Sequence, residues 1–375
     1  MKHNYCVYLT CMGGYGGLSL LQDFRKAKGV NNFKWIGSHN DLHMLARSDA
    51  DTNYFVPSAM KNTTEYVTAT IKIIEKEKVD LFIPKSDAEI VAIHPYIDKI
   101  GCRTFLPNYL EINATQDKYD FYTILKGSDV PAPETIHILK LGELDDYIKI
   151  LPKVDDRYWL RIKTAGTAGA YGATWIKSAR EAKDWIEKWV QNEGVKISDF
   201  IISEYLPGRL FECILLYKNG LLKLAKVYEN IKFATGGDPA DFGIGSTPGV
   251  AKTVSGSIAI KALDNAARAV ESAAQFSQTK PNGVYHLSAK LNKDDIPSVT
   301  EVNIGRTPST VAIFNRTGKY NFAEYFLYYA LDEFIPDPDE VYDIDDGNKY
   351  IIRSLDYPMS FINQDCIDKI KIIKY

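Results

Sequence analysis

Glu301, Asn303 and Arg306 stand close together in the run Ser298-Val-Thr-Glu-Val-Asn-Ile-Gly-Arg306. Side chains along a strand alternate between its two faces, so Glu301 and Asn303 point the same way. A carboxylate and an amide oxygen fixed side by side on a rigid strand suit a hard cation such as Mg²⁺. Arg306 adds a planar cation suited to phosphate oxygens. Taken alone, such a polar strand end is more often a solvated face. Residues 283–291 alternate in the same manner and a polar turn follows at 292–297, so the segment reads as a β-hairpin.

A second candidate site is Trp159-Leu-Arg-Ile-Lys163-Thr-Ala-Gly166-Thr-Ala-Gly169-Ala-Tyr-Gly172-Ala-Thr-Trp175. It reads as a strand, a small-residue loop with glycines at three-residue spacing, and a second strand. Backbone N–H groups of such a hairpin can close over phosphates while Lys163 supplies a fixed charge at its base. It is not a Walker A loop, because no G-K-[ST] follows and no helix begins there. Upstream, Thr115-Gln-Asp117-Lys118 opens a helix, and residues 130–135 (Val-Pro-Ala-Pro-Glu-Thr) are held extended by two prolines. Downstream, Phe200-Ile-Ile-Ser-Glu204-Tyr-Leu206-Pro-Gly208 is an apolar strand leaving into a turn.

The pattern D-K-x₆-L-x₄-V-P-x-P-x-T beginning at Asp117, followed by these segments in order, resembles the ATP-grasp superfamily. The resemblance is to its carbamoyl-phosphate-synthase-like single-chain ligases and covers about residues 6–334. It implies that Lys118 and Lys163 contact the ATP phosphates, with Gly166 and Gly169 in the lid over them. Glu204 and the backbone at Leu206 would then hold adenine and ribose. The family's ribose acid two or three residues past the glycine is absent, Leu210 and Phe211 standing there, and Glu212 is the nearest acid. Glu301 and Asn303 would bind Mg²⁺, and Arg306 the γ-phosphate. On the preceding strand the family presents Asp, Glu or Gln; this chain has Ser288, a poor ligand for Mg²⁺. Arg316 would lie near a substrate carboxylate, with a plain surface arginine as the equal alternative. The implied reaction is ATP-dependent activation of a carboxylate as an acyl phosphate, which an amine then attacks. A non-catalytic, regulatory ATP-binding module is the rival reading, favoured by Ser288 and the missing ribose acid.

These groups need a scaffold. Alternating strand and helix patterns over residues 1–114 argue for a Rossmann-like parallel sheet with helices on both faces. The remainder reads as an α+β, two-lobed ATP-grasp domain: a small lobe at 115–198, a large lobe at 199–340 and a C-terminal extension at 341–375. The extension is expected to add a strand pair or a dimer contact. Helices are expected at 64–78, 180–190, 256–277 and 321–332, the third with an alanine-rich stripe for close packing on a sheet. Gly13-Gly-Tyr-Gly-Gly17 is not a G-x-G-x-x-G fingerprint, and no acid ends the second strand, so nicotinamide or flavin binding is not expected. Asp87 and Glu89 follow another strand on the same edge, where open α/β sheets keep their ligands. They read as substrate-pocket residues or, equally, as helix N-terminal carboxylates.

Composition sets the outer bounds. The 375 residues suffice for two or three domains, and 45% hydrophobic with 25% charged residues is ordinary for a globular chain. A net charge of −3 gives no reason to expect nucleic acid or an anionic membrane as partner. The expected partners are small-molecule carboxylates and amines, with a homodimer left open. No apolar run approaches a membrane span, no signal peptide is evident, and Cys6, Cys11, Cys102, Cys213 and Cys366 lack C-x-x-C spacing. A reducing, cytoplasmic location and no zinc site are expected.

Overall fold

The computed structural model describes residues 4–27, 32–164, 170, 172–234, 248–305, 307, 310–353 and 369–373. Gly166, Gly169, Arg306 and most of the glycine-rich 233–249 segment lie outside the described residues.

The N-terminal unit carries β1 (Asn4–Leu9), α1 (Tyr15–Arg25), β2 (Asn32–His39), α2 (Leu42–Ala46), β3 (Thr52–Phe55), α3 (Thr63–Glu77), β4 (Leu81–Ile83), α4 (Asp87–Ile93) and β5 (Arg103–Thr104). Its strands are parallel, and β1, β2 and β4 carry runs buried on both faces. Val7 and Leu9 pack toward α1, while Cys6 and Tyr8 pack toward α3. That is why the runs read as continuous apolar stretches. Residues 102–106 yield only the two-residue β5, because β4 beside it is itself short. Chain order reverses beside β1, whose neighbours are β2 and β4. The crevice beyond such a reversal is where open sheets place ligands.

After α5 (Tyr109–Gln116) and α6 (Lys118–Gly127) comes the small lobe: β6 (Thr135–His137), α7 (Leu144–Ile150), β7 (Tyr158–Ile162), β8 (Thr174–Ile176), α8 (Ala179–Glu193) and β9 (Phe200–Glu204). Its antiparallel sheet, ordered β6-β9-β7-β8, buries Tyr158, Leu160, Ile162, Phe200 and Ile202 against Leu144, Ala182 and Ile186. The period of two leaves Trp159, Arg161 and Lys163 on the other face.

The large lobe comprises β10 (Leu210–Lys218), β11 (Leu221–Phe233), β12 (Pro248–Thr253), α9 (Gly256–Phe276), β13 (Gly283–Leu291), β14 (Pro297–Ile304), α10 (Val311–Phe314), α11 (Phe322–Ala330) and β15 (Tyr350–Ile352). Asn219 and Gly220 both take positive φ, 53° and 87°, and turn β10 into β11. Alanines 259, 262, 266 and 273 of α9 pack on Phe211, Cys213, Leu215, Tyr285 and Leu287. At one end of the opposite face, Ile214, Leu216 and Leu224 join the core of the N-terminal unit through Phe314 and Phe326.

Among its described residues the tail adds one strand to each of two sheets. β15 joins the large sheet beside β12, and β16 (Lys371–Ile372) pairs in parallel with β3 at the edge of the N-terminal sheet. Each edge has free backbone groups that a single strand satisfies.

Candidate active site

Where α9 does not cover it, the large sheet presents polar side chains in register. Tyr228, Glu212, Ser288 and Glu301 form one row across β11, β10, β13 and β14. His286 and Asn303 sit opposite each other in the next row. Glu301 and Asn303 therefore share a face and an edge. Ser288 is beside Glu301, and its hydroxyl donates to Glu212 Oε2 at 2.8 Å. The same oxygen lies 3.1 Å from His286 Nε2. Glu212 thus supplies a second carboxylate to the row that Ser288 leaves without one. No group of three or more His, Cys, Asp or Glu forms a ready-made metal cage among the described residues. The oxygen pair of Glu301 and Asn303 fits Mg²⁺, which takes one or two protein ligands and completes its shell with water and phosphate oxygens.

Three cationic side chains approach this edge from other elements. Asp117 caps α6, accepting from Tyr119 N at 2.8 Å, and also ion-pairs with Lys163 at the end of β7. Lys118 N donates to Lys163 O at 2.8 Å, so the two lysines predicted for phosphate contact are tied to one spot. Burial pushes the Lys118 ammonium below its ordinary range. Glu301 is the largest opposing influence, ahead of the carboxylates of Asp87 and Asp117, while Arg161 adds to the depression. Arg161, on the same face of β7 as Lys163, donates to Thr300 O at 2.7 Å and lies 3.4 Å from Glu301 Oε2. Sequence reasoning passed over Arg161. The alternation that marks Lys163 as cleft-facing marks Arg161 equally.

The predicted hinge leaves β9. Glu204 N donates to Glu134 O at 2.8 Å, and Glu204 Oε2 accepts from Glu134 N at 3.3 Å. Burial raises the Glu204 carboxyl above the usual carboxylate range. Leu206 is buried, and Gly208 N donates to Leu291 O at 3.0 Å. A Cβ at Gly208 would meet Leu291 Cβ at 2.4 Å, so only glycine permits this approach of hinge to sheet.

Lys290, two residues beyond Ser288 on the same face, places its ammonium 5.2 Å from the centre of the Tyr205 ring. Burial pushes it down to about 8. Between that value and the ordinary lysine range the unfolded chain holds the extra proton, so this residue's contribution rises with pH from about 8 to about 10.4. At pH 7 its charge costs the ligand-free fold roughly 3 kcal/mol. Lys290→Met is expected to be more stable than wild type at pH 7, with the gap closing by pH 10.5. Parallel urea midpoints across that range would contradict the assignment.

The remaining predicted residues separate. Asp87 lies within the electrostatic reach of Lys118, on the cleft side of the N-terminal sheet. Glu89 turns inward instead: its carboxylate accepts from Thr10 Oγ1 at 2.7 Å and Ser86 N at 3.1 Å, closing a capping box on α4. Arg316 donates to Ala312 O and lies 3.9 Å from Asp23 on α1, and no contact of it with the polar row is seen. A surface hollow lined by His94, Thr104, Pro107, Asn108 and Lys280 contains none of the groups above.

No protein-family model and no curated protein sequence matches the chain. Solved structures do. A biotin carboxylase–β,γ-ATP complex from Campylobacter jejuni is similar with a TM-score of 0.66 at 12% identity, over 88% of this chain and 72% of that one. N5-carboxyaminoimidazole synthetase from Staphylococcus aureus gives 0.64 at 11% identity, over 90% and 79%. L-amino acid ligase from Bacillus licheniformis gives 0.62 at 13% identity, over 89% and 76%. A parallel N-terminal sheet followed by two antiparallel lobes that face each other across the polar row is the ATP-grasp architecture, and this chain has the ATP-grasp fold.

Proposed function

We propose that the chain is an ATP-dependent carboxylate–amine ligase working with Mg²⁺-ATP. The observation that carries this reading is the meeting of Lys118, Arg161 and Glu301, from α6, β7 and β14, at one edge. Two cations and a carboxylate brought together from separate lobes suit a metal–triphosphate better than a self-contained ion pair.

In this reading Lys118 and Lys163 hold the phosphates, Lys163 exchanging Asp117 for a phosphate oxygen. Glu204 and the backbone at Leu206 receive adenine and ribose. Glu301 and Asn303 would hold Mg²⁺, which when bound neutralises charge on the β- and γ-oxygens. Arg161 holds Glu301 aimed at the metal position, and Arg306 steadies the γ-phosphate. A carboxylate oxygen of the substrate attacks the γ-phosphorus, the bond to the β-bridging oxygen breaks, and ADP leaves. The amine nitrogen then attacks the acyl carbon, the C–O bond to phosphate breaks, and phosphate leaves. Such chemistry needs positioning and charge neutralisation rather than a protein nucleophile. The four segments expected from sequence serve as N-terminal domain, lidded small lobe, large lobe and extension, and the partners are a small carboxylate and a small amine. Among the described residues no helix is long and apolar enough to cross a membrane, and a cytoplasmic location is proposed.

The test is release of ADP and phosphate from Mg²⁺-ATP over a matrix of carboxylates and amines. Release that requires both components supports the ligase. Binding of ATP with no stimulation by any pair would favour the regulatory module instead.

A further inference from the structure

Several buried polar side chains on the large-lobe sheet and in the segment after β14 are left short of hydrogen-bond partners. Tyr228, Asn230, His286 and Thr310 are between 0% and 7% exposed. Neither amide atom of Asn230 completes a hydrogen bond, nor does His286 Nδ1, while His286 Nε2 is set against Glu212 and the Tyr228 hydroxyl against that of Thr310. Folded proteins leave few such groups, because each forfeits its hydration without replacement. Several of them on one face mark a place prepared for a polar ligand.

Register puts them together. Tyr228 is opposite Glu212, and Asn230 is two residues along β11 on the same face. Asn230 pairs with Ala251 and Ala251 with Ile351, so Arg353, bonded through its N–H to Gly249 O at 2.8 Å, continues that face one row on. Phe314 forms the floor, its ring 4.8 Å from Tyr228 and 5.8 Å from His286. The Tyr228 hydroxyl is held well above its ordinary range, by burial first and by Glu212 second; Thr310 and the Arg353 charge oppose them. A carboxylate and a guanidinium thus act on one hydroxyl from different strands. β10 and β15 are three strand spacings apart, about 14 Å between backbones, and long side chains from both narrow that gap.

We propose that this face binds an α-amino acid as the amine component of the ligation, its carboxylate toward Arg353, its ammonium toward Glu212, and its remainder hydrogen-bonded by Asn230 and Thr310. The proposal rests on the ligase reading above. The orientation follows from the row: Glu212 is next to Ser288 and Glu301, so the amine end faces the phosphates while the carboxylate is held away from them. One ammonium proton passes first to Glu212 and frees the nitrogen lone pair; the nitrogen then attacks the acyl carbon, the C–N bond forms, and phosphate leaves with the C–O electrons and takes up the second nitrogen proton.

The experiment uses the full chain with Mg²⁺ and a non-hydrolysable ATP analogue, titrated with each of the twenty common amino acids and with ethylamine and propionate, followed by ADP release with ATP. At least one amino acid is expected to bind and to stimulate release with a partner carboxylate. Its decarboxylated amine should be at least about tenfold weaker, since it loses a charge-assisted bond. Asn230→Leu is expected to raise the melting temperature of the ligand-free protein, because it removes two unsatisfied atoms. The same variant should raise the KM for that amino acid about tenfold while the affinity for the ATP analogue moves less than about twofold. If the analogue binds but no amino acid does, or if the bare amine serves equally well, the amino-acid pocket fails and the ligase reading stands. Failure of the analogue to bind sinks both. An unchanged KM in Asn230→Leu overturns the pocket alone.

Discussion

Replacing Glu301 by glutamine should lower ADP release by about 10²–10³-fold while the protein melts within about 3 °C of wild type. The substitution removes one negative charge and keeps the shape. An amide oxygen can still accept from Arg161, whose guanidinium stays anchored on Thr300 O at 2.7 Å. What is lost is a carboxylate that Lys118 and Arg161 both feel and that Mg²⁺ would require. Glu301→Ala would be less clean, because it leaves the largely buried Arg161 without its counter-charge. The measurement is steady-state ADP release at saturating Mg²⁺-ATP, with a melt on the same sample. Turnover near wild type would show that Glu301 is a solvated strand end after all.

The largest effect on stability is expected at Asp343. Its carboxylate lies 2.7 Å from Lys226 Nζ, and the two side chains are 3% and 0% exposed. It also accepts from Lys319 N at 2.8 Å and Tyr320 N at 2.9 Å. Burial drives the Lys226 ammonium down, and Asp343 is the main influence holding it charged. Asp343→Ala strands that charge and two backbone donors, a loss of about 3–5 kcal/mol. The melting temperature should fall on the order of 10 °C. Pairing the change with Lys226→Met should restore part of the loss, since it removes the stranded charge while the Lys319 and Tyr320 N–H groups stay unpaired. A single variant melting within about 2 °C of wild type would contradict this account. The pair matters to the site because it fixes residues 317–320 to β11, and thereby the short helix whose Phe314 floors the polar face.

Much of this was legible in the chain itself. Alternation at 283–304 gave the hairpin and the shared face of Glu301 and Asn303, and the observed register keeps them together. The Asn219-Gly220 turn and the alanine stripe of α9 are local signals, each written within a few residues. Arg161 was equally legible by alternation and was passed over because glycine-loop patterns direct attention to the lysine beside them.

Other features were not in the string at all. Nothing local brings Asp87 within reach of Lys118, whereas the inward turn of Glu89 is written locally, in the Ser86-x-x-Glu89 capping-box spacing. Glu212 read as a substitute ribose acid because it was the nearest acid in sequence. Strand pairing sets it beside Ser288, where it adds a carboxylate to the row that serine leaves short, and no local signal announces that. The tail looked like a single appendage, yet its strands close two different sheets. Lys226 and Asp343 are separated by more than a hundred residues and meet only when the sheet is complete. The sequence alone determined the elements and the chemistry each could offer, because caps, turns and periodicity act over a few residues. Only the tertiary structure decided which charges meet, because a buried charge is tolerable solely where distant strands bring it a partner or leave it facing a ligand.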